Sequence, residues 1–297
     1  MKRIVGLTAV VTACAVLFGA ATAGASPTWW PKQLPPLPPQ IAQLFEPPVP
    51  MEKKLAKSFA ALQKSMRKSL PGQLGLAIAP VGSDAPISMG NLETGRAWST
   101  LKVPVSLAAE RNSGVRIAAK EDKAIVFSDN DAAGDLWGSL GGGASSVQAV
   151  TNVLREGHDI STRVSSEADD PPSYPGYTMW SLADQARFAA HLPCLPDAEH
   201  VIRLMSSVAA NQQWGIAKQV TRHGAVTAVK GGWGPGTGFS SAFLVRQLGV
   251  ISTNAGQVAV SMAAVPKSNS FSDGTRMLNK IGAWLNRNLA SLPTGRC

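Results

Sequence analysis

Three short polar motifs follow one another along the chain, and together they hold the residue types that acyl transfer without a histidine requires. In chain order, the motifs are Ser99-Thr100-Leu101-Lys102, Ser128-Asp129-Asn130 and Lys230-Gly231-Gly232. A serine hydroxyl becomes a useful nucleophile when a nearby base takes its proton. A lysine can be that base when burial or a neighbouring cation lowers its pKa. The motifs therefore predict a serine nucleophile served by two lysines.

The spacing within the first motif assigns two of these roles. Residues three apart lie on the same face of a helix, so Ser99 and Lys102 stand side by side if a helix begins near Ser99. We expect Ser99 to be the nucleophile and Lys102 the base. Lys230 is the expected neighbouring cation that lowers the pKa of Lys102.

The remaining motif residues are expected to move a proton and to hold the substrate. Ser128 passes a proton to the leaving group, and Asn130 holds the substrate or Lys102 by hydrogen bonds. The backbone N–H groups of Ser99 and Trp233 are expected to form an oxyanion hole, which stabilises the negative charge of the tetrahedral intermediate.

Hydrophobic periodicity and turn residues predict the elements that must position these groups. Helices are expected at 51–70, 99–111, 145–156, 182–192 and 198–208 and near the C-terminus, and strands at 74–81, 86–92, 225–231, 241–251 and 257–265. This order predicts an α+β fold, an α/β sandwich with a five-stranded antiparallel sheet. The terminal helices cover one face of the sheet, a mostly helical lobe spans about 99–212, and the site lies between sheet and lobe.

The motifs resemble those of the serine β-lactamase and penicillin-recognising family, and the chain looks like a divergent, class A β-lactamase-like member. Residues 128–133 read S-D-N-D-A-A, similar to the family's S-D-N-x-A-A, and the likeness covers roughly 51–297. The resemblance implies a β-lactamase-like fold in which Lys230 anchors the substrate carboxylate. It also implies catalytic roles for Ser99, Lys102, Ser128 and Lys230, and substrate contacts from Asn130, Gly232 and Trp233.

Three departures from the family pattern bear on activity. Gly231 replaces the usual threonine or serine, so the hydroxyl that binds the substrate carboxylate is missing. Trp233 is larger than the usual small residue beside the oxyanion hole and is expected to narrow the cleft. Glu167 lies near the position of the family's deacylating glutamate but one residue out of step. It is either a general base or a solvated loop acid, because general-base catalysis requires hydrogen-bond reach.

Two functions from different classes fit these residues. The first is an exported acyl-serine hydrolase of the β-lactamase or penicillin-binding type. It would act on a β-lactam or on a D-Ala-D-Ala-like amide or ester, as a small-molecule or peptidoglycan-derived substrate. The alternative is a catalytically impaired β-lactamase-like protein that serves as a binding or scaffold protein of the cell envelope. Ser99, Lys102 and Ser128 favour the first function, whereas Gly231 and the shifted Glu167 favour the second.

The N-terminal segments predict export. Lys2 and Arg3, the apolar run after them and Ala23-Gly24-Ala25 are typical of a secretory signal peptide over 1–25. Nine prolines between 26 and 50 indicate a semi-rigid linker to a serine hydrolase domain over 51–297. A secreted, periplasmic or cell-wall-associated protein is expected. The alternative is a lipoprotein anchored through Cys14.

Charge and cysteine content limit the partners. Removal of 1–25 lowers the net charge from +9 to +7, so the mature chain is attracted to anionic envelope polymers or simply has a basic surface. Basic residues are scattered, and we expect no nucleic-acid partner, no metal, no organic cofactor and a monomer. Cys194 and Cys297 remain after export and either form one disulfide or stay as separate thiols.

Overall fold

A five-stranded antiparallel sheet forms the centre of the computed structural model, which describes residues 50–113, 117–235 and 242–297. The strands are β1 (Gly72–Pro80), β2 (Ile87–Gly90), β5 (Val226–Pro235), β6 (Phe243–Thr253) and β7 (Gly256–Pro266). Their order across the sheet is β2-β1-β7-β6-β5. The N-terminal strand pair thus joins the C-terminal triplet through the β1–β7 pairing, which confirms the predicted α+β class and five-stranded sheet.

The terminal helices cover one face of this sheet. They are α1 (Met51–Met66) and α9 (Phe271–Asn288), and both carry apolar residues at helical spacing. The rings of Phe59 and Trp284 meet edge to face at 5.4 Å, and Trp284 Nε1 donates to Ser58 Oγ at 2.9 Å. Burial of this seam joins the first and last elements of the domain to one core.

The segment between β2 and β5 is mostly helical, as expected for the lobe. Its helices are α2 (Lys102–Ser113), α3 (Ala118–Val126), α4 (Asn130–Ser139), α5 (Gly143–Glu156), α6 (Leu182–His191), α7 (Glu199–Ser206) and the short α8 (Ile216–Gln219). Helix α6 packs on the sheet face opposite the terminal helices, where Leu182 and Ala186 contact Ala77, Leu244 and Ala263. The lobe therefore meets the sheet through α6.

The hydrophobic periodicity of the sequence does not predict two short elements near the predicted site. Strands β3 (Thr94–Arg96) and β4 (Met179–Ser181) pair with each other outside the main sheet, and each has three residues, too few for alternation to be recognised. The helix expected from Ser99 instead begins as a 3-10 turn, Trp98–Leu101, and becomes α-helical at Lys102.

A disulfide between Cys194 and Cys297 fastens the end of the chain to the loop after α6. Residues 51–297 form one compact unit. The predicted signal peptide, most of the proline-rich linker and Cys14 lie outside the described residues. Within the described ranges, every helix is too short or too polar to span a bilayer.

Candidate active site

Buried hydrogen bonds of Thr100 hold the segment that carries Ser99 in place. Thr100 Oγ1 donates to the carbonyl of Ala97 at 2.5 Å and accepts from Gln185 Nε2 of α6 at 2.9 Å. Trp98 adopts a positive φ of 49°, a strained conformation for a residue with a side chain. The turn thus directs Ser99 away from the core while Thr100 remains buried beneath it.

Arg246, a buried cation on β6, fixes the strands that lead into this turn. Its guanidinium donates to the carbonyls of Gly95, Arg96 and Trp180 at 2.8 to 3.2 Å, and to Gln185 Oε1 at 2.8 Å. Burial lowers the pKa of Arg246 to about 9. One side chain therefore joins β3, β4 and α6 just before the expected nucleophile.

Strand β5 approaches the Ser99 segment through glycines. A Cβ atom on Gly232 would lie 2.9 Å from the carbonyl oxygen of Ala97 and 3.0 Å from the backbone nitrogen of Ser99. Both neighbours are backbone atoms, so a side chain could enter only by displacing the Ser99 segment. The same face of the strand carries Lys230 and Gly234, because alternate residues of a strand point the same way.

Lys102 lies in the first turn of α2 and points at the second motif. Its Nζ donates to the carbonyls of Ser128 at 2.6 Å and Asp129 at 3.0 Å, and to Asn130 Oδ1 at 2.8 Å. Burial lowers the pKa of Lys102 to about 8, against a smaller opposing attraction from Asp129. Burial, more than the expected cation, is what depresses this pKa.

Ser128 connects the two lysines. Its Oγ accepts from Lys230 Nζ at 2.9 Å and lies 3.5 Å from Lys102 Nζ. The φ of Ser128 is 61°, and the next residue, Asp129, caps α4 by accepting from Ala132 N at 2.7 Å. Lys230 is fully buried, and burial together with the charge of Lys102 lowers its pKa well below the usual value.

The predicted groups therefore meet around one opening. Ser99, Lys102 and Asn130 line the same cavity, and Ser128 and Lys230 are linked to Lys102 by the contacts above. Ser99 Oγ makes no hydrogen bond to another residue of the described ranges, so its hydroxyl is available to a ligand. The arrangement can present a hydroxyl nucleophile, an amine of lowered pKa and a second hydroxyl for proton transfer.

The size of Trp233 suggests that it narrows the cleft, but its side chain packs elsewhere. Its ring packs against Phe271 at 5.0 Å and Trp214 at 6.4 Å. A Cβ on Gly231 would lie 2.4 Å from the ring of Trp214. Gly231 and Trp233 thus share the strand face opposite Lys230, so only the backbone of Trp233 remains available to the predicted oxyanion hole.

Glu167 lies in the cavity wall but is engaged elsewhere. Its Oε1 accepts from the backbone nitrogen of Gly143 at 2.6 Å, at the start of α5, and from Trp137 Nε1 at 3.2 Å. Its own backbone N–H, followed by the Gly143 and Trp137 donors, lowers the pKa of its carboxyl, which weakens it as a base. Within the described structure, it makes no hydrogen bond to Ser99 or Lys102.

The cavity has a volume of about 550 Å³ and includes residues that the motifs did not indicate. These are Trp98, Val105, Gly134, Trp137, Tyr174, Pro175, Gly176 and Tyr177, and Leu101 and Ala133, which belong to the motifs, also line it. Trp137 could have been recognised, since it lies seven residues after Asn130 and two helical turns place both on one face. Residues Tyr174 to Tyr177 of the cavity wall lie in a loop, where no sequence periodicity indicates the direction of a side chain.

One group of possible metal ligands occurs in the described ranges, away from this cavity. Oδ1 of Asp84 lies 2.7 Å from Nδ1 of His158 and 2.8 Å from Nε2 of His191. The two rings stack at 3.7 Å and 17°, and both nitrogens reach the same carboxylate oxygen. The arrangement is that of a carboxylate bridging two imidazoles.

Known structures share this fold. An ancestral class A β-lactamase (GNCA) is 18% identical and superposes with a TM-score of 0.57 over 78% of this chain and 99% of that one. The chromosome-encoded β-lactamase of Vibrio parahaemolyticus is 16% identical, with a TM-score of 0.59 over 79% and 98%. A PBP-A variant, solved as an acyl-enzyme complex with penicillin G, is 17% identical, with a TM-score of 0.60 over 81% and 97%.

At these identities, the superpositions establish the β-lactamase-like fold of the chain. No family model matches the sequence, and no curated protein is significantly similar to it.

Proposed function

We propose that this chain, which has the fold of the serine β-lactamases and of PBP-A, is an exported acyl-serine hydrolase acting on a β-lactam or on another amide or ester. The observation that carries the proposal is the position of Ser128 Oγ between two buried lysine amines, 2.9 Å from Lys230 and 3.5 Å from Lys102. A hydroxyl in contact with two amines of lowered pKa is suited to passing protons.

The proposed acylation step uses these groups in turn. Ser99 Oγ attacks the substrate carbonyl carbon, and the hydroxyl proton goes to the unprotonated amine of Lys102. The backbone nitrogens of Ser99 and Trp233 are proposed to hold the oxyanion. The bond to the leaving group then breaks, and Ser128 donates the departing group its proton while taking one from Lys102. Ser99 is left as an ester, and its hydrolysis by water restores the hydroxyl and releases the acid.

Two groups are proposed to bind rather than react. Asn130 donates from its side-chain amide to the substrate while its Oδ1 holds Lys102 at 2.8 Å. Lys230 supplies positive electrostatic potential through Ser128, and Gly232 lets β5 approach the Ser99 backbone, beside the proposed oxyanion hole. Glu167 is assigned no base role in this proposal, because Gly143 and Trp137 hold its carboxylate.

The position of the Glu167 carboxylate also favours a second function, that of a binding or scaffold protein. Without a base poised for water, an acylated Ser99 is hydrolysed slowly, and a slow enzyme acts as a binding protein or scaffold of the envelope. The missing hydroxyl at Gly231 also weakens capture of a substrate carboxylate. The two functions differ in whether the acyl-enzyme forms and how long it survives.

Export and a monomeric state belong to the same proposal. The disulfide between Cys194 and Cys297 supports an oxidising compartment, where such bonds persist. The basic mature chain fits a site at an anionic envelope, with a small molecule or a peptidoglycan fragment as substrate.

The test is covalent labelling of the full mature chain, read by intact mass. We expect a fluorescent penicillin or a fluorophosphonate to add one label to the wild type, and Ser99→Ala to abolish it. Ser106→Ala is the matched control, because Ser106 lies on the adjoining helix with a buried Oγ that has no hydrogen-bond partner among described residues. Equal labelling of wild type and Ser99→Ala disproves the nucleophile assignment. A lasting penicillin adduct favours slow release, product without adduct favours turnover, and no adduct with either probe favours the scaffold.

A further inference from the structure

The cavity beside Ser99 has a small reactive end and a larger apolar part. Ser99, Lys102 and Asn130 form the reactive end, where Lys102 and Asn130 are hydrogen-bonded. Apart from Glu167, the remaining lining residues are aromatic, aliphatic or glycine: Trp98, Leu101, Val105, Ala133, Gly134, Trp137, Tyr174, Pro175, Gly176 and Tyr177. A volume of about 550 Å³ is within the usual range for pockets that hold small molecules.

Two helix faces and one loop build the apolar part. Leu101 and Val105 lie one helical turn apart on the turn and helix that carry Ser99, and Ala133 and Trp137 lie one turn apart on α4. The Tyr174–Tyr177 loop closes the third side. The cavity therefore extends from the nucleophile into the helical lobe, along the same helix that presents Ser99 and Lys102.

The charged groups in the wall are already paired. Lys102 Nζ donates to three oxygens within 3.0 Å, and Glu167 accepts from Gly143 and Trp137. Apart from Trp98 Nε1, which is buried without a hydrogen-bond partner among the described residues, the aliphatic and glycine residues of the wall offer a polar substituent no partner for the hydration it loses. An apolar substituent would gain by leaving water.

The position of Ser128 identifies which half of the substrate enters the cavity. Ser128 and Lys230 are not among the residues that line it. In the proposed reaction, the leaving group must touch Ser128 to receive a proton, so the leaving group lies outside the cavity. The part that extends into the cavity is the part that stays attached to Ser99, which is the acyl group.

We infer that the substrate is an ester or amide of an apolar carboxylic acid, whose aliphatic or aromatic acyl chain fills this cavity while attached to Ser99. This inference rests on the proposed hydrolase function and narrows its substrate class. The reaction forms the bond between Ser99 Oγ and the acyl carbon and releases the alcohol or amine with one proton. Water then adds to the acyl carbon and releases the free apolar acid.

A series of 4-nitrophenyl esters tests the inference, from acetate through butyrate and hexanoate to octanoate. Transfer of a methylene from water to an apolar site raises binding roughly fourfold. We expect the second-order rate constant for acylation of the full mature chain, read as the nitrophenolate burst, to rise by up to about 15-fold per added pair of methylenes.

A matched pair of glycine variants tests whether this cavity is responsible. Gly134 and Gly138 are both exposed on α4, and an added Cβ meets no atom within 4 Å at either position. Gly134 lines the cavity, whereas Gly138 does not. We expect Gly134→Phe to lower the octanoate-to-acetate ratio at least tenfold, whereas Gly138→Phe keeps the wild-type ratio.

The outcomes separate this inference from the hydrolase proposal. If acetate acylates Ser99 but longer esters react no faster, or if Gly134→Phe leaves the ratio unchanged, the apolar acyl assignment is wrong and the hydrolase proposal stands. If neither the esters nor a fluorophosphonate modify Ser99, both are wrong.

Discussion

Lys230 Nζ donates a hydrogen bond to Ser128 Oγ at 2.9 Å across 102 residues of chain. Lys230 comes from the middle of β5, in the sheet, and Ser128 precedes α4, in the helical lobe. This contact closes the site between the two parts of the fold. It also places a fully buried amine of lowered pKa against the hydroxyl that is proposed to relay protons.

The pKa of Lys102 sets an expected pH dependence of acylation. With a pKa of about 8, this amine is mostly protonated at neutral pH and becomes a base only as the pH rises. The acylation rate should therefore increase through pH 8 and level off above it, measured as inactivation by a fluorophosphonate between pH 6 and 10. Lys102→Met should slow the reaction about 10²- to 10⁴-fold, the usual contribution of a general base.

Lys120→Met is the matched control for that series. Lys120 is half-exposed on α3, where it pairs with Asp135 at 3.1 Å, and its loss should leave both the rate and the profile unchanged. A wild-type rate that does not vary from pH 6 to 10 would exclude Lys102 as the base.

Gly232 is expected to tolerate no side chain. A Cβ at this position would come within 3.0 Å of the backbone of Ala97 and Ser99. Gly232→Ala should lower the acylation rate about 100-fold, since displacements near 1 Å can cost this much. The measurement is labelling rate, with circular dichroism to confirm folding. Wild-type labelling by a folded Gly232→Ala variant would contradict the close approach of β5 to the nucleophile.

Gly231 and Trp214 should be energetically coupled. A Cβ on Gly231 would lie 2.4 Å from the Trp214 ring, so Gly231→Thr alone should destabilise the protein by about 1–3 kcal/mol, as overpacking does. In a double-mutant cycle with Trp214→Ala, measured by urea unfolding, the threonine should cost at least about 1 kcal/mol less. Additive free energies would mean that the ring does not exclude a side chain at Gly231.

Glu121 is expected to make stability depend on pH. Burial and the nearby Glu110 raise its pKa from 4.5 to about 7, so the native state holds the proton more tightly than the unfolded chain does. Its stabilising contribution is complete below pH 4.5 and is lost as the pH rises through about 7. Glu121→Gln should therefore stabilise the protein by about 1–3 kcal/mol at pH 8 relative to wild type, and little at pH 5.

Urea unfolding at both pH values checks this expectation. His200 lies 3.4 Å from the Glu121 carboxylate, so His200→Gln serves as a second variant and shows whether this contact contributes to the difference. An identical difference between wild type and Glu121→Gln at pH 5 and pH 8 would show that Glu121 does not titrate in this range.

The sequence predicts the parts of this fold that depend on local spacing. Apolar runs and turn residues indicate the long strands β6 and β7, and three-residue spacing predicts Ser99 and Lys102 on one face. The directions of Gly231 and Trp233 depend instead on the register of β5 against β6, which a single chain does not reveal. The role of Arg246 could not be predicted from the sequence either, because it depends on carbonyls from two strands that are too short to recognise.

The remaining site features are tertiary in origin. The depression of the Lys102 pKa depends on how deeply the amine is buried, and the apolar cavity depends on how α2, α4 and the Tyr174–Tyr177 loop pack. The position of Glu167 depends on the start of α5, which offers it the Gly143 nitrogen. None of these has a pattern in the local sequence.

The hydrogen bond that holds Glu167 at the start of α5 affects how long an acylated Ser99 should last. Because hydrogen bonds from Gly143 and Trp137 hold Oε1 of this carboxylate and its pKa is lowered, it is a weak base for water, so a modified Ser99 should persist far longer than the encounter that produced it. The protein would then accumulate as an acyl-enzyme after exposure to acylating compounds. The lifetime of this acyl-enzyme, rather than a turnover number, would be the quantity of biological interest.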